Sequence, residues 1–256
     1  MNKLKIEILF PEFCNLYGDS FNMKYLKMCL PDAEFVETEL DQTPTFVNED
    51  VNLIYLGPMT ENTQEKVIAR LLPYKNRIEE LIEKNVVFLF TGNAVEVLGK
   101  YIENEDGSKI EGLGIFDVYA KRDMMHRHNS RLVGKFEDIE LVGFKSQFTM
   151  MYGDNTNSYF VQVEKGIGIN KDSKLEGIRK NNFIGTYIIG PILILNPLFT
   201  KKIIKMMENV QNNSADNEKK EAKEEQIHEN NENIQLALES DVMSAYEERL
   251  KELKRL

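Results

Sequence analysis

The segment that most limits the possible folds is an unbroken apolar run at residues 86–90 (Val-Val-Phe-Leu-Phe), which ends in the small and polar residues of 91–94. A strand without polar alternation is typical of the interior of a parallel sheet, where helices cover both faces. The abrupt change to small residues predicts a tight turn into a helix, here over residues 94 to 98 or 100. We therefore expect an α/β core in which this strand is buried on both faces.

The flanking sequence alternates strands and helices up to about residue 100 and becomes strand-rich from residue 114 onward. This order favours a three-layer α/β fold, a mainly parallel sheet flanked by helices, with an antiparallel strand extension. Further strands are predicted at residues 5–10, 35–40, 51–56, 115–120, 132–136, 141–144, 159–163 and 187–194. Further helices are predicted at residues 20–29, 61–72, 73–84 and 199–208.

Composition changes sharply near residue 210 and divides the chain into three predicted parts. Residues 1–210 form the α/β domain, and residues 211–233, rich in Asn, Glu and Lys, are expected to be a polar flexible linker. Residues 234–256 predict an amphipathic helix with one apolar stripe. The stripe consists of Ile234, Leu238, Val242, Ala245, Tyr246, Leu250 and Leu253. We expect it to dock on the same chain; a partner helix or self-association through residues 234–256 is the alternative.

The 256 residues carry a formal net charge of −10, and an acidic surface binds nucleic acid and anionic membranes poorly. The apolar runs fall well short of the roughly 20 residues that a membrane-spanning helix needs. The first residues lead straight into a strand pattern without a cationic and apolar leader, so a cytoplasmic location is expected. Cys14 and Cys29 suit a reducing compartment, and no residue spacing predicts a metal site or a cofactor.

Three loops are predicted at the carboxyl ends of parallel strands, where open α/β sheets bind ligands. A strand that turns sharply into a helix lifts one side chain to the sheet edge and leaves backbone N–H groups free to bind an anion. A turn without chemistry is the simpler interpretation. The candidate binding residues in these loops are Asn15, Tyr17, Asp19, Gly57, Thr91 and Asn93.

Several short segments, in their order and spacing, carry a resemblance to a known family. They are Asn-Leu-Tyr-Gly-Asp at 15–19, Ile-Tyr-Leu-Gly at 54–57, Glu-Val-Leu-Gly at 96–99, Arg-Leu-Val-Gly at 131–134, Val-Gly-Phe at 142–144, Glu-Gly-Ile-Arg at 176–179 and Gly-Thr-Tyr-Ile-Ile-Gly-Pro at 185–191. Over residues 4–208 the chain resembles class I glutamine amidotransferases of the cobyric-acid-synthase-like branch. Within that branch it is most similar to the glutaminase subunit of lipid II isoglutaminyl synthase. The resemblance implies a flavodoxin-like core.

The resemblance also implies a reaction. Members of the family attack the side-chain amide of glutamine with a cysteine on the strand-to-helix turn, while a histidine activates the thiol and backbone N–H groups bind the oxyanion. The released ammonia passes to an ATP-dependent synthetase partner, which is a Mur-ligase-like subunit in the lipid II case.

Carried over position by position, the resemblance fails at the centre of this site. Gly92 stands at the family's nucleophile position and Ile189 at its histidine position. The oxyanion loop contains Pro58 directly after Gly57, and proline has no N–H to donate. Arg131 keeps its Arg-Leu-Val-Gly context, which implies a role in holding substrate; an ordinary surface arginine is the alternative.

These replacements predict a cytoplasmic glutamine amidotransferase-like protein with a degenerate glutaminase site. It would act as a binding or regulatory subunit beside a Mur-ligase-like or other ATP-dependent amidating partner. The alternative is an active amidotransferase or amide hydrolase that supplies ammonia through a displaced nucleophile, either Cys14 or Thr91 paired with Asp19. A third possibility is an interaction module that binds through its C-terminal stripe.

Overall fold

The computed structural model describes residues 3–215 and 234–255. The strands are β1 (Lys5–Leu9), β2 (Glu34–Thr38), β3 (Leu53–Leu56), β4 (Val87–Thr91), β5 (Tyr101–Glu103), β6 (Lys109–Glu111), β7 (Tyr119–Arg122), β8 (His128–Phe136), β9 (Ile139–Gln147), β10 (Thr149–Tyr152), β11 (Val161–Lys165), β12 (Leu175–Glu176), β13 (Ile178–Lys180) and β14 (Phe183–Thr186). The α-helices are α1 (Phe21–Cys29), α2 (Glu61–Leu71), α3 (Lys75–Glu83), α4 (Ile192–Leu195), α5 (Pro197–Ala215) and α6 (Glu239–Arg255). Within the described ranges, no helix combines the length and the apolar character needed to cross a membrane.

The main sheet has six strands in the order β2-β1-β3-β4-β14-β13. Neighbouring strands are parallel throughout except for the antiparallel pair of β14 and β13. Without β13, this is the 2-1-3-4-5 strand order of flavodoxin-like folds. Two four-stranded sheets, β10-β7-β5-β6 and β12-β11-β8-β9, form the largely antiparallel extension. The predicted three-layer α/β architecture is confirmed.

Strand β4 explains why the sheet is covered on both faces. Val87 and Leu89 point into the core that α1 and α5 complete, while Phe88 and Phe90 point into the core that α2 and α3 complete. All five residues of β4 are buried. Since successive strand residues face opposite sides, an unbroken apolar run is stable only between two such layers.

The parallel pairing brings the carboxyl ends of β1, β3, β4 and β14 to one edge of the main sheet. The segments that follow these strands therefore meet there: residues 10–20, 57–60, 92–98 and 187–191. This edge is where ligand sites of open α/β sheets lie, and we call it the carboxyl edge.

Three of the predicted elements are wrong or displaced. No strand spans residues 187–194: β14 ends at Thr186, and Gly190, with a φ of 97°, and Pro191 turn the chain into α4. The strand predicted at 115–120 begins only at Tyr119, because the N–H groups of Ile115 and Phe116 bond back to the carbonyl of Leu98. The helix predicted after β4 is a 3-10 helix, Gly92–Leu98.

The C-terminal segment also departs from the predicted boundaries. Helix α5 continues to Ala215, beyond the expected end of the domain at residue 210, while residues 216–233 lie outside the described residues. Helix α6 packs against β8 and β9 through Tyr246, Leu250 and Leu253, and the Tyr246 hydroxyl donates to the carbonyl of Glu140 at 2.9 Å. Leu238 and Ala245, both assigned to the apolar stripe, are exposed, because α6 starts only at Glu239 and its buried face runs through Val242 and Tyr246.

Candidate functional site

The turn after β4 leaves no room for a side chain at its first residue. Gly92 has a φ of 58°, in the left-handed region that glycine adopts without strain. A Cβ at this position would lie 2.6 Å from the Cβ of Pro58 and 3.4 Å from the Cγ2 of Ile189. All three residues are buried. Together they fill the space into which a nucleophile at residue 92 would project, and we call them the plug.

Asn93 fixes the Pro58 half of the plug. Its side-chain oxygen accepts a hydrogen bond from the N–H of Met59 at 3.0 Å, and its amide nitrogen donates to the Met59 carbonyl at 2.8 Å. The Pro58 carbonyl accepts from the N–H of Leu16 at 3.0 Å. Gly57 permits this crowding, since a Cβ there would lie 2.2 Å from the carbonyl oxygen of Cys14. The sequence candidates Gly57 and Asn93 thus hold neighbouring loops together.

Ile189 is held by β9. Its N–H donates to the carbonyl of Phe144 at 2.9 Å in an isolated antiparallel bridge, and its side chain is buried. Phe144 is 40% exposed and lies opposite Arg131 in the pairing of β8 and β9. Arg131 is exposed, and its guanidinium has no hydrogen bond or ion pair among the described residues. The structure therefore brings Arg131 to the strand pair beside the plug with a free charge.

Asp19 joins several segments of the carboxyl edge by buried hydrogen bonds. One carboxylate oxygen accepts hydrogen bonds from Tyr55 and Thr91, each at 2.5 Å, and the other accepts from the N–H of Gly190 at 3.4 Å. Asp19 is fully buried, and burial raises its pKa above the ordinary value, partly offset by the Thr91 and Tyr55 hydrogen bonds. Thr91 is fully buried as well, so its hydroxyl faces Asp19 and not solvent.

Glu96 forms a second buried polar group under the turn. Its carboxylate accepts from Gln64 Nε2 and from the Tyr187 hydroxyl, both at 2.8 Å. Burial raises the pKa of Glu96 to about 7, against the lowering effect of these two bonds and of the charge of Arg122. Arg122 reaches Glu96 through Gln64, whose side-chain oxygen accepts from the guanidinium at 2.9 Å.

Lys145 and Glu176 form a third, charged group between β9 and the end of β14. Their side chains are buried, with 3.9 Å between Lys145 Nζ and a Glu176 oxygen. Lys145 also donates to the Gly168 carbonyl at 2.5 Å, while Glu176 accepts from the Thr186 hydroxyl at 2.7 Å and the Tyr187 N–H at 2.8 Å. Burial raises the pKa of Glu176 and lowers that of Lys145. We call the Asp19, Glu96 and Glu176 groups together the polar frame.

Comparison with known proteins identifies the family of this chain. Residues 5–196 match the CobB/CobQ-like glutamine amidotransferase domain. The chain belongs to this family. It is similar to the lipid II isoglutaminyl synthase (glutamine-hydrolyzing) subunit GatD of Staphylococcus aureus (strain N315), with 26% identity over 207 residues, 80% of this chain and 84% of the relative. The subunit of the same name from Streptococcus pneumoniae (strain ATCC BAA-255 / R6) is 25% identical over 211 residues, 79% of each chain.

A solved structure supports the same fold. The chain resembles a crystal structure described as a glutamine amidotransferase, with a TM-score of 0.53 and 11% identity, over 79% of this chain and 98% of that one. The resemblance inferred from the short sequence segments is thereby confirmed. That residues 92 and 189 stand at the family's nucleophile and base positions stays a prediction from the sequence resemblance.

The structure also locates the remaining candidates of this amidotransferase-like domain. Cys14 is 2% exposed, its Sγ lies 3.8 Å from the sulfur of Met59, and burial raises its pKa to about 12. Asn15 donates to the Pro11 carbonyl at 2.6 Å. Tyr17, 48% exposed, accepts a hydrogen bond from Arg127 at 3.1 Å.

The sequence assigned no role to Glu96, Gln64, Lys145 or Tyr187, although Glu96 and Tyr187 lie in two of the family-like segments. One signal was available: Glu96 is the only charged residue in the buried segment 94–98, and such a residue needs internal partners. The partners themselves come from distant elements and had no local pattern. In the described ranges, no three His, Cys, Asp or Glu side chains are placed to hold a metal ion.

Proposed function

We propose that this protein is a glutamine amidotransferase-like subunit that binds a synthetase partner without hydrolysing glutamine itself. The observation that carries the proposal is the plug: a Cβ at residue 92 would lie 2.6 Å from Pro58, and the apolar Ile189 packs on the other side. A thiol, a base and an oxyanion donor are each replaced at one site. Because catalytic groups act as a unit, the residues that remain should provide binding and little else.

The partner that we propose is an ATP-dependent, Mur-ligase-like subunit in the cytoplasm. In its favour, both curated relatives are described as subunits of a glutamine-hydrolysing lipid II isoglutaminyl synthase. Large apolar side chains are also exposed near the plug: Tyr17 at the carboxyl edge and Phe144 on β9, which bridges to Ile189. Exposed aromatic residues around a closed site are typical of a protein–protein contact.

The competing hypothesis of a displaced nucleophile has less support. A thiol with a pKa of about 12 holds almost no thiolate at neutral pH, and Cys14 has a sulfur and not a base as its neighbour. The Thr91 hydroxyl donates a hydrogen bond to Asp19. Thr91 is fully buried, however, so a substrate amide would have to pass the plug to reach this hydroxyl.

The deciding experiment measures ammonia release from glutamine by the purified full chain, alone and co-purified with its ligase-like partner. The Staphylococcus aureus relative with its own partner serves as the positive control. We expect no release above the buffer blank while the partner stays bound. Release that Cys14→Ala or Thr91→Ala abolishes would establish the displaced nucleophile and overturn the proposal; release that survives both changes would overturn it as well.

A truncation after Gln211 separates the roles of the domain and the tail. We expect the shortened chain to keep the partner, and the double change Tyr17→Ser and Phe144→Ser to weaken that binding. If instead the truncation removes the partner while circular dichroism and melting temperature stay those of the full chain, the protein binds through its C-terminal helix, as the third possibility holds.

A further inference from the structure

The outer face of the β8–β9 hairpin is covered by α6 along only part of its length. Val133 and Val142 face each other there and are buried against Tyr246 of α6. Because side chains alternate along a strand, the same face continues through every second residue towards the carboxyl edge. These further residues are the pairs Arg131 with Phe144, Asn129 with Ser146, and Arg127 with Phe148. We call these six residues the arginine face; four are exposed, and Ser146 and Phe148 are half-buried.

Each end of the arginine face carries an arginine opposite a phenylalanine. The Arg127 guanidinium lies over the Phe148 ring, with 4.4 Å between Cζ and the ring centre, and Nη1 donates to the Tyr17 hydroxyl at 3.1 Å. These two contacts hold the planar cation in one position. Arg131 lies opposite Phe144 and has no hydrogen bond or ion pair among the described residues. The face thus offers one fixed cation and one that can adjust.

The carboxylates on the same hairpin and its neighbours do not neutralise this face. Glu140 and Glu164 each form an ion pair with a lysine, and Asp123, on the loop before β8, pairs with a histidine. In the part of the chain that the structure describes, neither Arg127 nor Arg131 forms an ion pair. The arginine face is therefore locally positive although the chain as a whole carries −10.

The composition of the arginine face is typical of a protein–protein contact. Tyrosine, phenylalanine and arginine are enriched in such contacts, whereas lysine, glutamate and aspartate are depleted. The face has two arginines and two phenylalanines, adjoins Tyr17 and contains none of the depleted types. Through the bridge from Phe144 to Ile189 it is continuous with the carboxyl edge. A nucleic acid would meet only two cations here, too few for binding that depends on phosphate neutralisation.

We propose that the arginine face binds an acidic, extended segment of a partner protein. Arg127 and Arg131 are four residues apart along β8, which separates their Cα atoms by about 13 Å. Two carboxylates four residues apart on an extended segment would therefore meet both guanidinium groups. A polar residue midway would face Asn129 and Ser146. The identity of the partner as the synthetase subunit rests on the proposed function; the acidic character of the segment rests on this face alone.

The first measurement is the association rate of the full chain with its ligase-like partner at low and high salt. Arg131→Glu should slow association about fivefold at about 20 mM salt, and the double change Arg127→Glu and Arg131→Glu about 30-fold. Both effects should shrink strongly at about 500 mM salt, where exposed charges are screened. Lys66→Glu, an equal charge change on an exposed lysine of α2, is the control and should stay within twofold. Circular dichroism and melting temperature should match those of the natural chain in every variant.

The second measurement needs no partner. The capped peptide Glu-Val-Ser-Val-Glu and its twin with glutamine at both ends are titrated into the full chain and followed by backbone amide shifts. We expect saturable shifts along β8 and β9 with the glutamate peptide, and at least about tenfold weaker binding both for the glutamine peptide and for the doubly changed chain.

The two measurements separate this proposal from the proposed function. If the partner binds but the arginine changes act no more strongly than Lys66→Glu, the arginine face is wrongly assigned while the proposed function stands. If the partner does not bind, the proposed function fails and the peptides decide: saturable, charge-dependent shifts support the face, and their absence overturns it. Tighter binding of an oligothymidylate than of the glutamate peptide would overturn it too, since phosphates and not carboxylates would then be recognised.

Discussion

At the carboxyl edge of the main sheet, two adjoining sets of buried residues differ in chemistry. The plug of Gly92, Pro58 and Ile189 is uncharged and close-packed, since a Cβ added to Gly92 would lie only 2.6 Å from the nearest atom. Below it, the polar frame buries the carboxyl groups of Asp19, Glu96 and Glu176, each with at least two hydrogen-bond donors. Glu96 of the polar frame follows Gly92 of the plug in the same 3-10 helix.

The difference shows which part of the edge the fold depends on. Asp19 alone joins the loop after β1, the strand β3 through Tyr55, the strand β4 through Thr91 and the segment at Gly190. Removing such a group leaves buried donors unpaired, which costs more than the bond itself contributes. The plug residues make no comparable bonds through their side chains. The turn after β4 therefore depends on the hydrogen bonds of the polar frame and not on side-chain bonds of the plug.

The largest effect is expected from Lys145→Met, which leaves the Glu176 carboxylate buried without its cation. The free energy of unfolding should fall by about 3 to 5 kcal/mol at pH 7. The loss should be smaller at pH 5, because burial already raises the pKa of Glu176 and protonation relieves the unpaired charge. Urea denaturation at both pH values measures this.

Lys135→Met is the matched control, since Lys135 lies on the neighbouring strand β8 and is exposed. Its effect should stay within about 0.5 kcal/mol. Equal losses for both lysines would mean that the polar frame does not stabilise the edge as argued.

Gly92→Ala tests the packing of the plug. A left-handed backbone costs about 1 to 2 kcal/mol for an alanine, and the contact with Pro58 adds a similar amount, so unfolding should become easier by about 2 to 4 kcal/mol. Gly18→Ala isolates the backbone part, because Gly18 has a φ of 72° but nothing within 4 Å of its Cβ position. It should cost only about 1 kcal/mol.

The double-mutant cycle with Pro58→Gly then measures the clash itself. In the Pro58→Gly background, Gly92→Ala should lower the free energy of unfolding by nearly the same amount as Gly18→Ala does. This corresponds to a coupling energy of at least about 1 kcal/mol. Additive losses would show that residue 92 has free space and would weaken the case for a closed site.

Glu96→Gln tests whether the polar frame carries a proton. The pKa of Glu96 is raised to about 7 in the folded protein, against 4.5 for an ordinary glutamate, so the folded state binds this proton more tightly than the unfolded one. Stability from this group is therefore present below pH 4.5 and is lost as pH rises towards 7. Glutamine has no such titration.

The stability of Glu96→Gln relative to the natural chain should accordingly improve between about pH 5 and pH 8, by on the order of 2 kcal/mol. Chemical denaturation of both proteins across this range gives the difference, in which the other titrating groups cancel. If the stability difference between the two proteins does not change with pH, Glu96 is ionised at every pH measured, and the positive charge of Arg122 compensates its charge.

The sequence predicts the main sheet, the plug and the polar frame to different extents. The main sheet follows from local signals: the apolar run at 86–90 requires cover on both faces, and β4 has it. The plug positions could be named as well, since Gly92, Pro58 and Ile189 occupy recognisable places in a family pattern. That they touch one another depends on three segments from different parts of the chain and needs the structure.

Within the polar frame, the sequence predicted only the pair of Thr91 and Asp19, which both lie at the carboxyl ends of parallel strands. The other pairs join residues as far apart as Asp19 and Gly190, or Glu96 and Tyr187, and no period or spacing encodes such contacts. The strand wrongly predicted at 187–194 arose in the same place: Ile188 and Ile189 look like strand residues, but Gly190 and Pro191 redirect the chain to bring Ile189 against Gly92.

The smallest effect on stability is expected from Arg131→Ala, which changes the one charged candidate on the surface. Its guanidinium has no partner among the described residues, so the free energy of unfolding should change by less than about 0.5 kcal/mol. Binding to the synthetase partner, or to a ligand beside the plug, should nevertheless weaken, and co-purification yield measures the former. Lys135→Ala, on the same strand, is the control. A stability loss with unchanged binding would give Arg131 a structural role, whereas unchanged stability with weakened binding would support a role for its free charge in recognition.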